Sequence, residues 1–187
     1  MDVIGTMDRV GYVGHRRADV VGLLAGDLSD LPPSTRVLDF GAGFGRTALA
    51  LAGSLPLHFV LADVDPGKLP PDTARLESVG IESGKALPFP DDHFHAAYAV
   101  DVLHHVPAAA ESVRELRRVL VPGGRLWIVE YDLRRWWVKM IGVVCRLRRM
   151  QRRLLTPDEL ERMMTSAALR GSVRRLDALR MLAVATA

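Results

Sequence analysis

Three glycines at alternate positions behind an acid, in Val37-Leu38-Asp39-Phe40-Gly41-Ala42-Gly43-Phe44-Gly45-Arg46, constrain this chain more than any other stretch. The apolar run before the glycines reads as a short buried strand, and Thr47, Ala48, Leu49 and Ala50 begin a helix. A strand that turns through glycines straight into a helix presents main-chain N–H groups and the positive helix end to whatever lies above the turn. Glycine also lets a ligand touch main chain where a Cβ would collide. The segment therefore predicts a floor for a nucleotide-like cofactor. Its spacing is G-x-G-x-G, whereas a dinucleotide fingerprint needs G-x-G-x-x-G. Asp39, two residues before Gly41, would place a carboxylate that repels a pyrophosphate but accepts a hydrogen bond from an ammonium group.

A second strand, His58 to Ala62, ends in Asp63-Val64-Asp65-Pro66. In nucleotide-binding α/β sheets an acid about 20 residues beyond the glycine loop takes the ribose hydroxyls. Asp63 stands 18 residues after Gly45 and fits that place. Farther on, Ala86-Leu87-Pro88-Phe89-Pro90-Asp91 leads through Asp92-His93-Phe94 to Leu103-His104-His105-Val106. Pro88 and Pro90 fix an extended approach, and Phe94 to Val102 predicts the fourth strand. Glu111 to Leu120 predicts a helix with Val113, Leu116 and Leu120 on one face. Val121-Pro122-Gly123-Gly124-Arg125 would end it, and Leu126 to Val129 reads as the fifth strand.

On these segments the chain resembles the class I S-adenosylmethionine (SAM)-dependent methyltransferases, and within them the methyltransferase type 11-like subfamily with L-P-F-P-D and L-H-H-V signatures. The resemblance implies an α/β, Rossmann-like doubly wound fold: a mostly parallel seven-stranded sheet closed by a C-terminal antiparallel hairpin. It implies SAM as cofactor, with Asp39, Gly41, Ala42, Gly43 and Gly45 against the methionine part. Asp63 would take the ribose hydroxyls, with Val64 beside it among the cofactor-binding residues; Asp63 is preferred to Asp65 because Asp63 and Pro66 match the family's D-x-x-P. Ser83, Gly84 and Lys85 would meet the adenine, and Asp101 would lie at the tip of the fourth strand. The chain departs from the pattern at His95, where the family has Asp, and at Ser83, where it has an acid; Glu82 is adjacent. The short span from Asp63 to Leu87, interrupted by Pro70-Pro71, predicts a trimmed second helix and a short third strand.

Composition agrees with one domain over residues 1–187. Its 49% hydrophobic and 25% charged residues are ordinary for a globular chain, and no apolar run approaches the roughly 20 residues of a bilayer span. Cys145 stands alone, no Cys/His cluster has metal-ligand spacing, and the N-terminus lacks a secretory pattern, so no metal and a cytoplasmic location are expected. Arg9 to Leu28 reads as one helix or two short ones within an N-terminal lid over residues 1–33, with Tyr12, His15 and Arg16 as lid candidates or simply as a helix on the sheet edge. Residues 133–155 form a basic aromatic insertion: seven arginines, one lysine and Trp136-Trp137 with no acid between 133 and 153. Two readings suit it: a cap over the acceptor, the leading one, or a peripheral contact with an anionic membrane. A net charge of +3 does not decide between them, and no nucleic-acid-binding motif is present. No oligomeric state is implied.

At the C-terminus, Thr156-Pro157-Asp158-Glu159 is a capping box. It opens a helix to about Leu169 with Leu160, Met163, Met164 and Ala167 on the packed face. Gly171 would end it, and Ser172–Leu176 with Leu179–Thr186 would make the closing hairpin.

The sulfonium methyl is already activated, so such an enzyme must chiefly align a nucleophile and exclude water. The sequence thus predicts methyl transfer from SAM to a small-molecule or lipid-like acceptor. A non-catalytic SAM-binding protein of the same fold is the alternative, and a nicotinamide-dependent oxidoreductase a more distant one. Asp101, His104 and His105 are the candidate bases, His105 slightly ahead of His104, and Glu130, Tyr131 and Asp132 are candidate pocket linings.

Overall fold

The computed structural model describes residues 12–134 and 154–187, with side chains described from residue 19 onward. Helix α1 spans Tyr12–Leu28. There follow β1 (Arg36–Phe40), α2 (Arg46–Ser54), β2 (His58–Asp63), β3 (Leu76–Gly80), β4 (Phe94–Val100), α3 (Ala109–Val119), β5 (Leu120–Tyr131), α4 (Pro157–Ser166), β6 (Arg170–Arg175) and β7 (Arg180–Thr186). The strands form one seven-stranded sheet in the order β3-β2-β1-β4-β5-β7-β6. Every pairing from β3 to β5 is parallel, and β7 runs antiparallel between β5 and β6. The order reverses between β1 and β4, and in open α/β sheets the crevice at that switch point, beyond the carboxyl ends of the strands, is where ligands sit.

Alternation along the strands sends successive side chains to two cores. On one face Leu38, Val60 and Ile128 pack with Val113 and Leu116 of α3 and Leu160 and Met164 of α4. On the other, Val37, Phe59, Leu61, Tyr98 and Trp127 pack with Val20, Leu24 and Leu28 of α1 and Leu51 of α2. Strands buried on both sides explain the near-continuous apolar runs of β1 and β2. The Trp127 indole donates to Asp27 at 2.8 Å and the Arg125 guanidinium to Asp30 at 2.6 Å, tying the end of α1 to β5.

The link from β2 to β3 contains only a 3₁₀ turn, Pro66–Lys68, and β3 has five residues, so the trimmed second helix and short third strand are both observed. Several boundaries differ from the sequence reading. β4 stops at Val100 because Asp101 turns left-handed at φ 54°, which carries Val102 out of the strand. α3 starts at Ala109, and β5 begins directly at Leu120. Pro122-Gly123-Gly124 is thus an excursion within an extended segment, where pairing jumps from Phe94↔Leu120 to Ala96↔Arg125. Its amides are not wasted: the Gly123 N–H donates to the Ala187 carbonyl and the Ala187 N–H to that of Gly124. The capping box of α4 is present, Thr156 and Glu159 each bonding the other's amide. The helix ends at Ser166, earlier than Gly171, because Ala168 takes the left-handed position at φ 58°.

Among the described residues no helix is long and apolar enough to cross a membrane, and no cluster of His, Cys, Asp and Glu could hold a metal ion. The side chains of Tyr12, His15 and Arg16, and residues 135–153 of the basic insertion, lie outside the described residues. Leu155, just beyond them, is buried and bridges to Asp132.

Candidate functional site

The rim of the cleft begins where β1 runs into its glycines. Gly41, Gly43 and Gly45 all have positive φ, at 73°, 54° and 65°. They are not equivalent. A Cβ on Gly41 would stand 2.0 Å from a methyl carbon of Val102, whereas a Cβ on Gly43 would meet nothing within 4 Å. Gly41 is therefore required by the protein's own packing, and Gly43 faces open space at the mouth.

Asp63, at the tip of β2, holds this loop. One carboxylate oxygen accepts the Gly43 N–H at 2.8 Å and the other the Asp65 N–H at 2.9 Å. The Gly41 and Ala42 amides donate to the Ala62 carbonyl. Asp39 pairs in register with Leu61, so Asp39 and Asp63 point to the same face of the sheet from neighbouring strand tips. Asp39 is 3% exposed and accepts the Tyr98 hydroxyl at 3.0 Å. Burial pushes the Tyr98 hydroxyl well above its usual pKa, the Asp39 charge and hydrogen bond adding to the effect, so it stays a donor to that carboxylate. Tyr98 was missed from sequence, where it reads as one more apolar position of a strand.

Beside Asp63 opens a cleft whose walls include Phe40, Val64, Ile81, Leu87, Val106 and Glu115. Glu82, Ser83, Gly84 and Lys85 line it as an exposed turn, with Gly84 at φ 72° and the Lys85 N–H donating to the Glu82 carbonyl. Val64 is 58% exposed at this edge. The residues proposed for adenine and ribose are thus brought together. His95 is exposed near the start of β4, at the end of the strand away from the tips, and takes no part.

The tips of β4 and β5 carry a different construction. His104, in a 3₁₀ turn over Leu103–His105, is 3% exposed, and its Nδ1 lies 2.7 Å from Oε2 of Glu130, itself 1% exposed. The other Glu130 oxygen accepts the Val102 and Leu103 amides at 2.9 and 2.5 Å. A carboxylate against Nδ1 selects the tautomer with its proton there and leaves Nε2 as the acceptor. His105 is exposed, its ring centroid 4.1 Å from that of His104, and the Tyr131 ring meets His104 edge-on at 5.7 Å. Asp101 is half-buried beside them, donating its N–H to the Val129 carbonyl, and Asp132 is buried and accepts the Arg134 N–H. Val102 joins the halves: its side chain packs on Gly41 and its amide binds Glu130. The Glu130–His104 contact arises from the pairing of β4 with β5, where the register Val100↔Val129 brings Glu130 beside the turn that follows β4.

A family model described as a methyltransferase domain matches residues 38–128. The chain is 33% identical over 117 residues to a 2-methyl-6-phytyl-1,4-hydroquinone methyltransferase of Synechocystis sp., a match covering 58% of this chain and 36% of that protein. The chain thus spans well under half the length of this relative. Among solved structures, the methyltransferase in a complex with the Haloferax volcanii Trm112 methyltransferase activator superimposes with a TM-score of 0.73 at 16% identity, covering 99% of this chain and 95% of that one. The [4+2]-cyclase SpnF follows at a TM-score of 0.72 and 18% identity, covering 90% of this chain and 80% of that one. The matched segment and the strand order agree: over residues 38–128 the chain is similar to a methyltransferase domain, and its fold is that of the solved methyltransferases.

Proposed function

We propose that this chain transfers a methyl group from S-adenosylmethionine to a small acceptor whose reacting atom gives up a proton. The observation that carries the reading is the convergence of Asp39, Gly43 and Asp63 at the switch point of the sheet, beside a cleft walled by Val64 and the Glu82–Lys85 turn. Each Asp63 oxygen accepts one amide and keeps a lone pair for a ribose hydroxyl. Asp39 is the acid for the ammonium end, and Gly41, Ala42, Gly43 and Gly45 form the floor beneath the methionine part. Val64, Ser83, Gly84 and Lys85 border the adenine, and Asp101 closes the side nearest the acceptor.

When bound, the cofactor supplies a methyl on a positively charged sulfur. The protein's own part is to hold the acceptor in line and dispose of its proton. His104 Nε2 takes that proton, and Glu130 stabilises the resulting imidazolium while keeping the ring in place. Of the two histidines, His104 is the one with a buried carboxylate behind it; the exposed His105 lines the acceptor side. A hydroquinone-type ring is the first acceptor class to try, since a phenol must be deprotonated to react and the Synechocystis relative is named for such a substrate. The insertion over 133–155 follows directly on Tyr131 and Asp132 and would cap this acceptor.

A fold shared with a cyclase does not decide the reaction. Calorimetry with SAM, S-adenosylhomocysteine and NAD, followed by a methyl-transfer screen on hydroquinones and phenols, tests the proposal. Binding of the first two but not of NAD, with transfer that His104→Asn slows by about 10²- to 10⁴-fold, is the expected result. Tight cofactor binding with no transfer to any acceptor would favour a non-catalytic binding role.

A further inference from the structure

The segment from Lys85 to Asp91, which enters the cleft wall at Lys85 and Leu87, lies outside every strand, yet three of its main-chain groups are held by side chains. The partners are two side chains of α3. Oε2 of Glu115 accepts the Leu87 N–H at 2.8 Å. Arg118 donates through Nη2 to the Leu87 carbonyl at 3.1 Å, and through Nη1 to the Phe89 carbonyl at 2.9 Å and to Asp91 at 2.7 Å. Its Nε and Nη2 bind the two Glu115 oxygens at 2.9 and 2.7 Å. These contacts use all five donor hydrogens of a guanidinium, an arrangement that lysine cannot copy. Leu87 thereby has both its amide and its carbonyl held, and Leu87 and Glu115 both line the cleft.

We propose that Glu115 and Arg118 are positioning residues for the adenine half of the cofactor: a side-chain clamp that sets the distance between the Leu87 wall and Val64 across the cleft. The inference rests on the cofactor reading above. The clamp touches neither the glycine loop nor the His104–Glu130 pair, so its loss acts on binding of the nucleoside and leaves the transfer step alone. It also gives the L-P-F-P-D segment a local reason: the prolines keep Leu87 to Asp91 extended, and the extended carbonyls and Asp91 are what the guanidinium reads.

The test compares Arg118→Lys, Glu115→Gln and Asp91→Asn with the parent chain, using S-adenosylhomocysteine and methylthioadenosine, which shares the nucleoside but has no amino acid end. Arg118→Lys should weaken both ligands by the same factor, about tenfold, as loss of several coordinated hydrogen bonds implies. Its kcat at saturating SAM should stay within about twofold of the parent, because the interaction removed serves ground and transition states alike. Glu115→Gln, which keeps the shape and an acceptor for Leu87, should fall between, and Asp91→Asn should change affinity least. Unchanged affinity in both Arg118→Lys and Glu115→Gln, with or without a lower melting temperature, would overturn the clamp and leave the cofactor reading standing. A loss confined to S-adenosylhomocysteine would overturn it too. A parent chain that binds neither ligand would overturn the cofactor reading itself, and the clamp with it.

Discussion

The two halves of the cleft rim are built from different materials. At the tips of β1 and β2 the working parts are main-chain amides and glycine, held by one carboxylate: Asp63 bonds Gly43 and Asp65 from residues close along the chain or on the adjoining strand. At the tips of β4 and β5 they are side chains, a buried histidine and a buried glutamate that meet across 26 residues. A backbone-built site tolerates exchange of most side chains but not of the conformation. A site built on a buried, hydrogen-bonded pair of side chains fails when either partner goes, because the survivor is left unbonded in a dry place.

The largest effect should come from the side-chain half. His104→Asn should lower kcat by about 10²- to 10⁴-fold, the usual worth of a positioned general base, while affinity for S-adenosylhomocysteine stays as in the parent. Steady-state kinetics paired with calorimetry separates the two, and an equal loss in both would erase the contrast. In the backbone half, Gly41→Ala and Gly43→Ala share the cost of a left-handed residue, roughly 1–2 kcal/mol each. Only the first adds a collision, with Val102. Gly41→Ala should therefore melt well below Gly43→Ala and recover in part with Val102→Ala. Gly43→Ala should stay folded and lose cofactor affinity, because its methyl enters the open mouth. Tyr98→Phe should cost less, about 1–2 kcal/mol by denaturant unfolding, for the donor withdrawn from buried Asp39.

The smallest effect is a pH dependence. The Arg118 hydrogen bond holds the Glu115 carboxyl below its ordinary value of 4.5, the amide of Leu87 and the Arg118 charge assisting while burial opposes. A carboxyl depressed in the folded state adds stability above its unfolded value and loses it as pH falls through the folded one. The stability difference between the parent and Glu115→Gln should accordingly hold through neutral pH and shrink below about 4.5. A difference that grew on acidification would contradict the ion pair.

The same contrast explains what could be read from sequence. The glycine loop and Asp63 were legible because a strand, a turn and an acid at fixed spacing are local facts, and the loop's conformation is written in its glycines. The family resemblance supplied the mostly parallel seven-stranded sheet and its closing hairpin. Tyr98 was not legible, since an apolar strand position does not disclose which face it serves or that Asp39 lies across from it. His104 could be seen but not ranked above His105, because its partner Glu130 becomes a neighbour only when β4 and β5 pair. Besides the end of β4 at left-handed Asp101, two more boundaries were misread for backbone reasons. A proline and two glycines that look like a stop are carried within β5 by pairing to the chain end, and Ala168 ends α4 in a conformation more often given to glycine.

The central claim is most directly tested by calorimetric titration of the chain with S-adenosylhomocysteine, run beside Asp63→Ala. The parent chain should bind this ligand saturably, one to one, in the range of about 1 µM to 1 mM where enzyme sites commonly work. Asp63→Ala should lose most of that affinity. No heat of binding at millimolar ligand, or equal binding by the two proteins, would contradict the claim.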